Sequence, residues 1–208
     1  MAPKNKFAKE EVIDAALWVV QTKGSDALTA KAVADRLGVS TRPIFSYFDT
    51  MEQLKTQVVL AAERLWNRYV QAGLQEKIPF YGFGMQYIRF AREEPQLYRL
   101  LFLEKTAGGN SRAFETMCRA MEVVRPQLVE IYHISEADAE RYFRDMWLVV
   151  YSLAALIVTG GCPYSEEEIG RILTGFSVSI CKAIKEIPGF TAGSFDRDDI
   201  FRGLIGQP

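Results

Sequence analysis

Eight consecutive residues, "STRPIFSY" from Ser40 to Tyr47, gather a guanidinium, several hydroxyls and two aromatic rings. The Arg42 guanidinium is a planar fork of donors that can meet two acceptors side by side, the pattern on the major-groove edge of guanine. Hydroxyls such as those of Ser40, Thr41 and Tyr47 suit base edges or phosphate oxygens, and a ring such as Phe45 packs on a thymine methyl or a sugar. The same residue types also occur in a packed helical hairpin. What separates the two readings is the way the surrounding elements aim them.

A helix capped by Ser40 would place Pro43 third, where a missing N–H costs nothing. On that helix Ile44 and Phe48 lie at i, i+4 and face a core with Val33 and Leu37. Arg42, Phe45 and Ser46 then point outward, with Thr41 at the tip and Tyr47 at the edge. Upstream, "TAKAVADRLG" predicts a short helix capped by Thr29 and ended by Gly38. Two short helices joined by "GVS" form a helix-turn-helix, with Ala34, Gly38 and Ile44 at the crossing, the turn and the anchor. In this motif the second helix enters the major groove and its first residues meet base edges. Ser40, Tyr47 and the amides at the helix starts are expected at phosphates.

The remainder of the chain reads as helix. Val12, Ala16 and Val20 recur at i, i+4, i+8 before Gly24, and "TMEQ" at 50–53 is a capping box opening a long helix to about residue 72. Ser165 with Glu168 makes a second box, and Ser135 with Asp138 a near version. Pro126 falls inside a helical pattern that it is expected to kink or divide. With no alternating β-branched run, the expected fold is all-α with about nine helices. Its N-terminal three-helix domain (1–50) carries the helix-turn-helix, and a larger helical domain follows (51–208).

Residues 7–55 resemble the DNA-binding domain of the TetR family of transcriptional regulators. The matches run in order: "IDAAL", Gly24, Thr29, "VADRLGVS", "IFSYF" and "MEQL". The resemblance implies contacts to double-stranded operator DNA from Thr29, Ser40, Thr41, Arg42, Pro43, Phe45 and Tyr47. The family often has Tyr where Phe45 stands and Lys where Met51 stands. Lys55, one turn on, is placed to substitute for that lysine. Farther along, "YIRFAREEPQLYRLLF" (87–102) and "WLVVYSLAALIVTG" (147–160) resemble a C-terminal domain of one subgroup, in which Trp is followed four residues later by His-Gly. Here Trp147 is followed by Tyr151-Ser152.

The resemblance implies a ligand-binding and dimerising C-terminal domain, hence a homodimer reading a near-palindrome and a repressor released by a small molecule. Apolar pockets gather aromatics with a few polar tips, and Met adapts to varied shapes. The candidate lining is Tyr87, Phe90, Tyr98, Phe102, Met117, Met121, Trp147 and Tyr151, for an apolar or amphipathic effector. The dimer is expected to form through Leu153, Leu156, Ile157, Ile172, Phe176 and Ile180, and the helix from Thr50 is expected to be the rigid link between the two functions.

Composition bounds the alternatives. The 208 residues carry 25 Lys+Arg against 26 Asp+Glu, so net charge does not select a partner. Cys118, Cys162 and Cys181 are too few and scattered for a disulfide framework or zinc site, and are expected as packing residues. A single histidine, His133, excludes His-rich metal centres and is expected at the surface. No Gly-rich phosphate loop or paired nucleophile and base is present, so no catalysis and no cofactor are expected. The runner-up is a helical adaptor or small-molecule binder that does not bind DNA. "MAPKNKFAKE" lacks an apolar signal core, and "MWLVVYSLAALIV" is shorter than a membrane span, so a cytoplasmic protein with no membrane partner is expected.

Overall fold

In the computed structural model, which describes residues 7–105, 109 and 112–205, the cap signals set the helix boundaries. Helix α1 (Lys9–Lys23) starts with the Glu11 carboxylate accepting from the Ala8 amide at 2.7 Å and buries Val12, Ala16 and Val20. It ends at Gly24, which is followed by a 3₁₀ turn, Ser25–Ala27. Helix α2 (Ala30–Leu37) is capped by Thr29, whose Oγ1 accepts from the Ala32 amide at 3.1 Å. It stops at Gly38, which takes the left-handed φ of 67° that a side chain would disfavour. Helix α3 is short (Arg42–Phe45).

Helix α4 (Met51–Leu74) has 24 residues, so it is about 36 Å long. Thr50 accepts from the Gln53 amide, but Gln53 reaches back to the Asp49 amide at 2.9 Å, one residue before the expected partner. Leu54, Val58, Ala62, Trp66 and Val70 form its buried stripe. Proline opens both α5 (Pro79–Glu93) and α6 (Pro95–Tyr98), where it forfeits no helical hydrogen bond. Helix α6 runs on as a π-helical turn, Arg99–Leu103, and the Arg99 guanidinium donates to the Val158 carbonyl at 2.6 Å. Helices α7 (Arg112–Tyr132), α8 (Glu136–Val158), α9 (Glu166–Glu186) and α10 (Arg197–Ile205) complete the described chain, which contains no β-strand. Pro126 does not divide α7, although it supplies no amide to the Glu122 carbonyl. Ser165 with Glu168 closes a full capping box on α9, and Ser135 with Asp138 makes the reciprocal pair before α8.

The chain forms two compact units. The first is Met1–Cys118 with Ser152–Pro163. Here α4 packs on α1 and α5, and α1 also packs on α2 and α6. Glycine permits the closest approach of α4 and α5: a Cβ on Gly73 would lie 2.6 Å from the Phe83 backbone nitrogen.

The second unit is Arg119–Tyr151 with Tyr164–Pro208. Its interior holds Tyr142, whose hydroxyl pairs with Ser177 Oγ at 2.6 Å and donates to the Tyr132 hydroxyl at 3.3 Å. Burial pushes the Tyr142 phenol far above its ordinary range. Arg141 donates to the Phe190 carbonyl and lies over its ring, holding the chain beyond α9. His133 is exposed and takes φ of 51° in the turn after α7. Of the residues expected between two copies, Leu156 and Phe176 are exposed and Ile157, Ile172 and Ile180 half-buried. Leu153 is buried in the chain's own core, because it sits on the inward side of α8 beside Ala154. It is therefore not available to a partner.

Candidate functional site

The turn between α2 and α3 is built by backbone bonds. The Gly38 amide donates to the Asp35 carbonyl at 3.2 Å and the Val39 amide to the Ala34 carbonyl at 3.1 Å. The cap of α3 falls at Thr41, one residue later than expected. Ile44 donates to the Thr41 carbonyl at 3.1 Å, and Pro43, second in the helix, has no amide to send back to Val39. The burial then divides as the spacing predicts: Ile44 is 0% and Phe48 3% exposed, whereas Phe45 is 49% exposed. Ser40, Thr41 and Arg42 are exposed and Pro43 is half-buried. Arg42 has no ion-pair partner among the described residues, so its fork of donors is open to an outside acceptor.

Thr29 is exposed at the start of α2, and its cap bond uses a lone pair, leaving the hydroxyl hydrogen for an acceptor outside. Lys55 is half-exposed on the first turns of α4, next to Met51 and Leu54. Tyr47 is half-buried, and its hydroxyl donates to the Phe7 carbonyl at 2.7 Å. The bond reaches across 40 residues and no spacing rule foretells it.

Four of the eight candidate effector residues come together in the first unit. Tyr87, Phe90 and Phe102 ring Trp66 at centroid distances of 5.1, 5.2 and 5.5 Å, and Tyr98 lies 4.8 Å from Phe102. Edge-to-face geometry dominates, as ring quadrupoles favour. The hydroxyls of Tyr87 and Tyr98 face each other at 3.5 Å inside this apolar cluster. Met117 is buried in the same unit. Met121, Trp147 and Tyr151 belong to the second unit, where the Trp147 and Tyr151 rings stack at 4.8 Å. Trp66, the hub of the first cluster, is absent from the sequence-derived lining. Its signal was the α4 stripe, four residues after Ala62 and four before Val70.

Helix α4 is not the sole link from the reading helices to this cluster. The Gln21 amide donates to the Glu94 carboxylate at 3.0 Å, Ser25 donates to Glu104, and a Cβ on Gly24 would touch the Gln96 side chain at 3.1 Å. The two hydrogen bonds tie the end of α1 and the turn after it to residues 94–104, the segment that carries Tyr98 and Phe102. No described helix is long and apolar enough to cross a membrane.

Two family models match in order along the chain. One, for bacterial regulatory proteins of the tetR family, covers residues 12–58, and the other, a tetracyclin repressor-like C-terminal domain, covers residues 80–174. Among solved structures, a TetR-family member from Streptomyces coelicolor A3 is similar at 21% identity with a TM-score of 0.60, over 84% of this chain and 98% of that one. A TetR-like regulator from Rhodococcus sp. RHA1 aligns at 12% identity with a TM-score of 0.57, over 96% of each chain. The multidrug binding protein EbrR, complexed with imidazole, aligns at 20% identity with a TM-score of 0.54, over 80% of this chain and 93% of that one. No protein of curated function matches significantly. Those structural likenesses carry the fold. With both of the family's domain models matched on one chain and an all-α helix-turn-helix architecture beneath them, this protein belongs to the TetR family of transcriptional regulators.

Proposed function

We propose that this regulator is a homodimeric repressor that holds a near-palindromic operator and releases it when a small apolar or amphipathic molecule binds. In this reading residues 1–50 bind DNA, with Thr29, Ser40, Thr41, Arg42, Pro43 and Phe45 at the duplex and Lys55 added from the first turns of α4, and the rest of residues 51–208 binds the effector and the second copy. The observation that carries the DNA half is the outward face of α3, where Arg42 is exposed and, among the described residues, without an ion-pair partner, while Ile44 and Phe48 are buried beneath it. A packed hairpin would have buried Phe45 as well.

The effector half is supported by the aromatic cluster around Trp66. Its apolar walls and two phenol hydroxyls suit a ring-bearing molecule with a polar group. The multidrug binding protein EbrR, a relative in fold, was solved with imidazole. A molecule entering this cluster displaces Tyr98 or Phe102, and residues 94–104 then pull on α1 through Glu94 and Glu104 while Trp66 shifts α4. Two-fold recognition helices must sit about 34 Å apart to read successive major-groove faces, so a shift of a few ångströms ends the fit.

Retarded migration of a fragment from the gene's own promoter tests the DNA half. A retarded band competed only by the same sequence supports it, and migration unchanged at micromolar protein and low salt overturns it.

A further inference from the structure

The hydrogen that Tyr47 would give to a phosphate is already committed inside the protein. A phenol has one hydrogen to donate, and phosphodiester oxygens only accept. Here that hydrogen goes to the Phe7 carbonyl at 2.7 Å. The next residue reinforces the same junction, since the Lys9 ammonium lies 5.3 Å above the buried Phe48 ring. Both links run from the end of the recognition turn to the chain entering α1.

Such a junction matters because α3 is only four residues long. The turn continues through Ser46 and Tyr47, whose amides bond to the Arg42 and Ile44 carbonyls at 3.2 and 3.1 Å. A helix this short has little direction of its own, so its aim is set by what it is fastened to. Ile44 and Phe48 fasten it from beneath, and Tyr47 fastens its end.

We infer that Tyr47 serves DNA binding as a positioning residue: its hydroxyl ties the entry of α1 to the end of the recognition turn, fixing how α3 presents Arg42 and Phe45, and it does not contact a phosphate. The inference rests on the DNA-binding reading above and departs from the contact role that family resemblance implies for this position.

Tyr47→Phe removes the hydroxyl and keeps the ring. Hydrogen exchange of the free protein is the first arm. Peptides spanning residues 7–16 are expected to exchange about threefold or more faster in the variant, because the start of α1 opens locally, while peptides from α4 stay unchanged. The second arm uses a duplex selected by the parent protein from a random pool, remade with single methylphosphonates that neutralise one phosphate each. Tyr47→Phe is expected to weaken every duplex of the set by the same factor, about fivefold, the worth of one net hydrogen bond. A phosphate whose neutralisation weakens the parent but no longer affects the variant would reveal a direct contact and overturn the inference. Unchanged exchange at residues 7–16 would also overturn it. A pool that yields no duplex removes the DNA-binding reading, and the exchange arm still decides whether the tether exists.

Discussion

Gln21 and Glu94, 73 residues apart, share a hydrogen bond of 3.0 Å that joins the last turns of α1 to the start of α6. Glu94→Ala removes the acceptor without touching Tyr98, Phe102 or the DNA-reading face. We expect it to leave affinity for an effector found by thermal-shift screening within about twofold. The factor by which that effector weakens DNA binding, about 5- to 150-fold for typical coupling, is expected to shrink toward one. Fluorescence anisotropy with and without the effector measures both. An unchanged factor assigns the coupling to α4 or to the remaining link from Ser25 to Glu104.

Gly73 tests the crossing of α4 and α5. The atoms a Cβ would strike there are the Phe83 nitrogen and the Gly82 carbonyl group, which are backbone and cannot rotate away. Gly73→Ala is therefore expected to destabilise by about 1–3 kcal/mol, as overpacked sites do. A thermal melt followed by circular dichroism reads this as a midpoint several degrees lower, and an equal or higher midpoint contradicts the close approach.

Phe45 is half-exposed beside a fully buried Ile44, so its ring serves the outside of α3. Phe45→Ala is expected to keep the melting midpoint within about 2 °C, as surface changes do, while weakening operator binding. Phe45→Tyr restores the hydroxyl frequent in the family and is expected to tighten binding to all sequences alike, the mark of a phosphate contact. A large loss of stability in Phe45→Ala would return the ring to the core.

Phe176 lies exposed on α9, one turn beyond the half-buried Ile172. Buried between two copies it would tolerate no charge. Phe176→Arg is expected to convert a two-chain species into a monomer by sedimentation at micromolar concentration, because an unpaired buried charge costs several kcal/mol. A parent that sediments as a monomer, or a variant that stays dimeric, contradicts an interface at this residue.

Much of this architecture was legible in the sequence because its signals are local. Thr29 caps Ala32 and Ser165 caps Glu168 within one turn, so residue type and spacing suffice. The buried stripes of α1 and α4 follow from the helical period in the same way. Bonds across 40, 73 and 79 residues, Tyr47 to Phe7, Gln21 to Glu94 and Ser25 to Glu104, leave no trace in periodicity. They depend on where α1, α3 and α6 come to rest. Trp66 reads as one more apolar position for the same reason, since its place among the rings of Tyr87, Phe90 and Phe102 depends on α5 and the turn after α6 folding over it. Leu153 lies in the core and not at a partner's face because an apolar helix has two greasy sides, and period alone does not say which one faces a partner.

Selection of bound duplexes from a random pool, run in parallel with the parent and Arg42→Ala, tests the central claim most directly. The account predicts that the parent enriches a near-palindrome whose half-sites are centred about 34 Å apart, one helical turn. Arg42→Ala is expected to lose about 1–3 kcal/mol on that duplex and to relax the preference at one base pair in each half-site. Enrichment of no sequence by the parent, or identical sequences and affinities for both proteins, would contradict it.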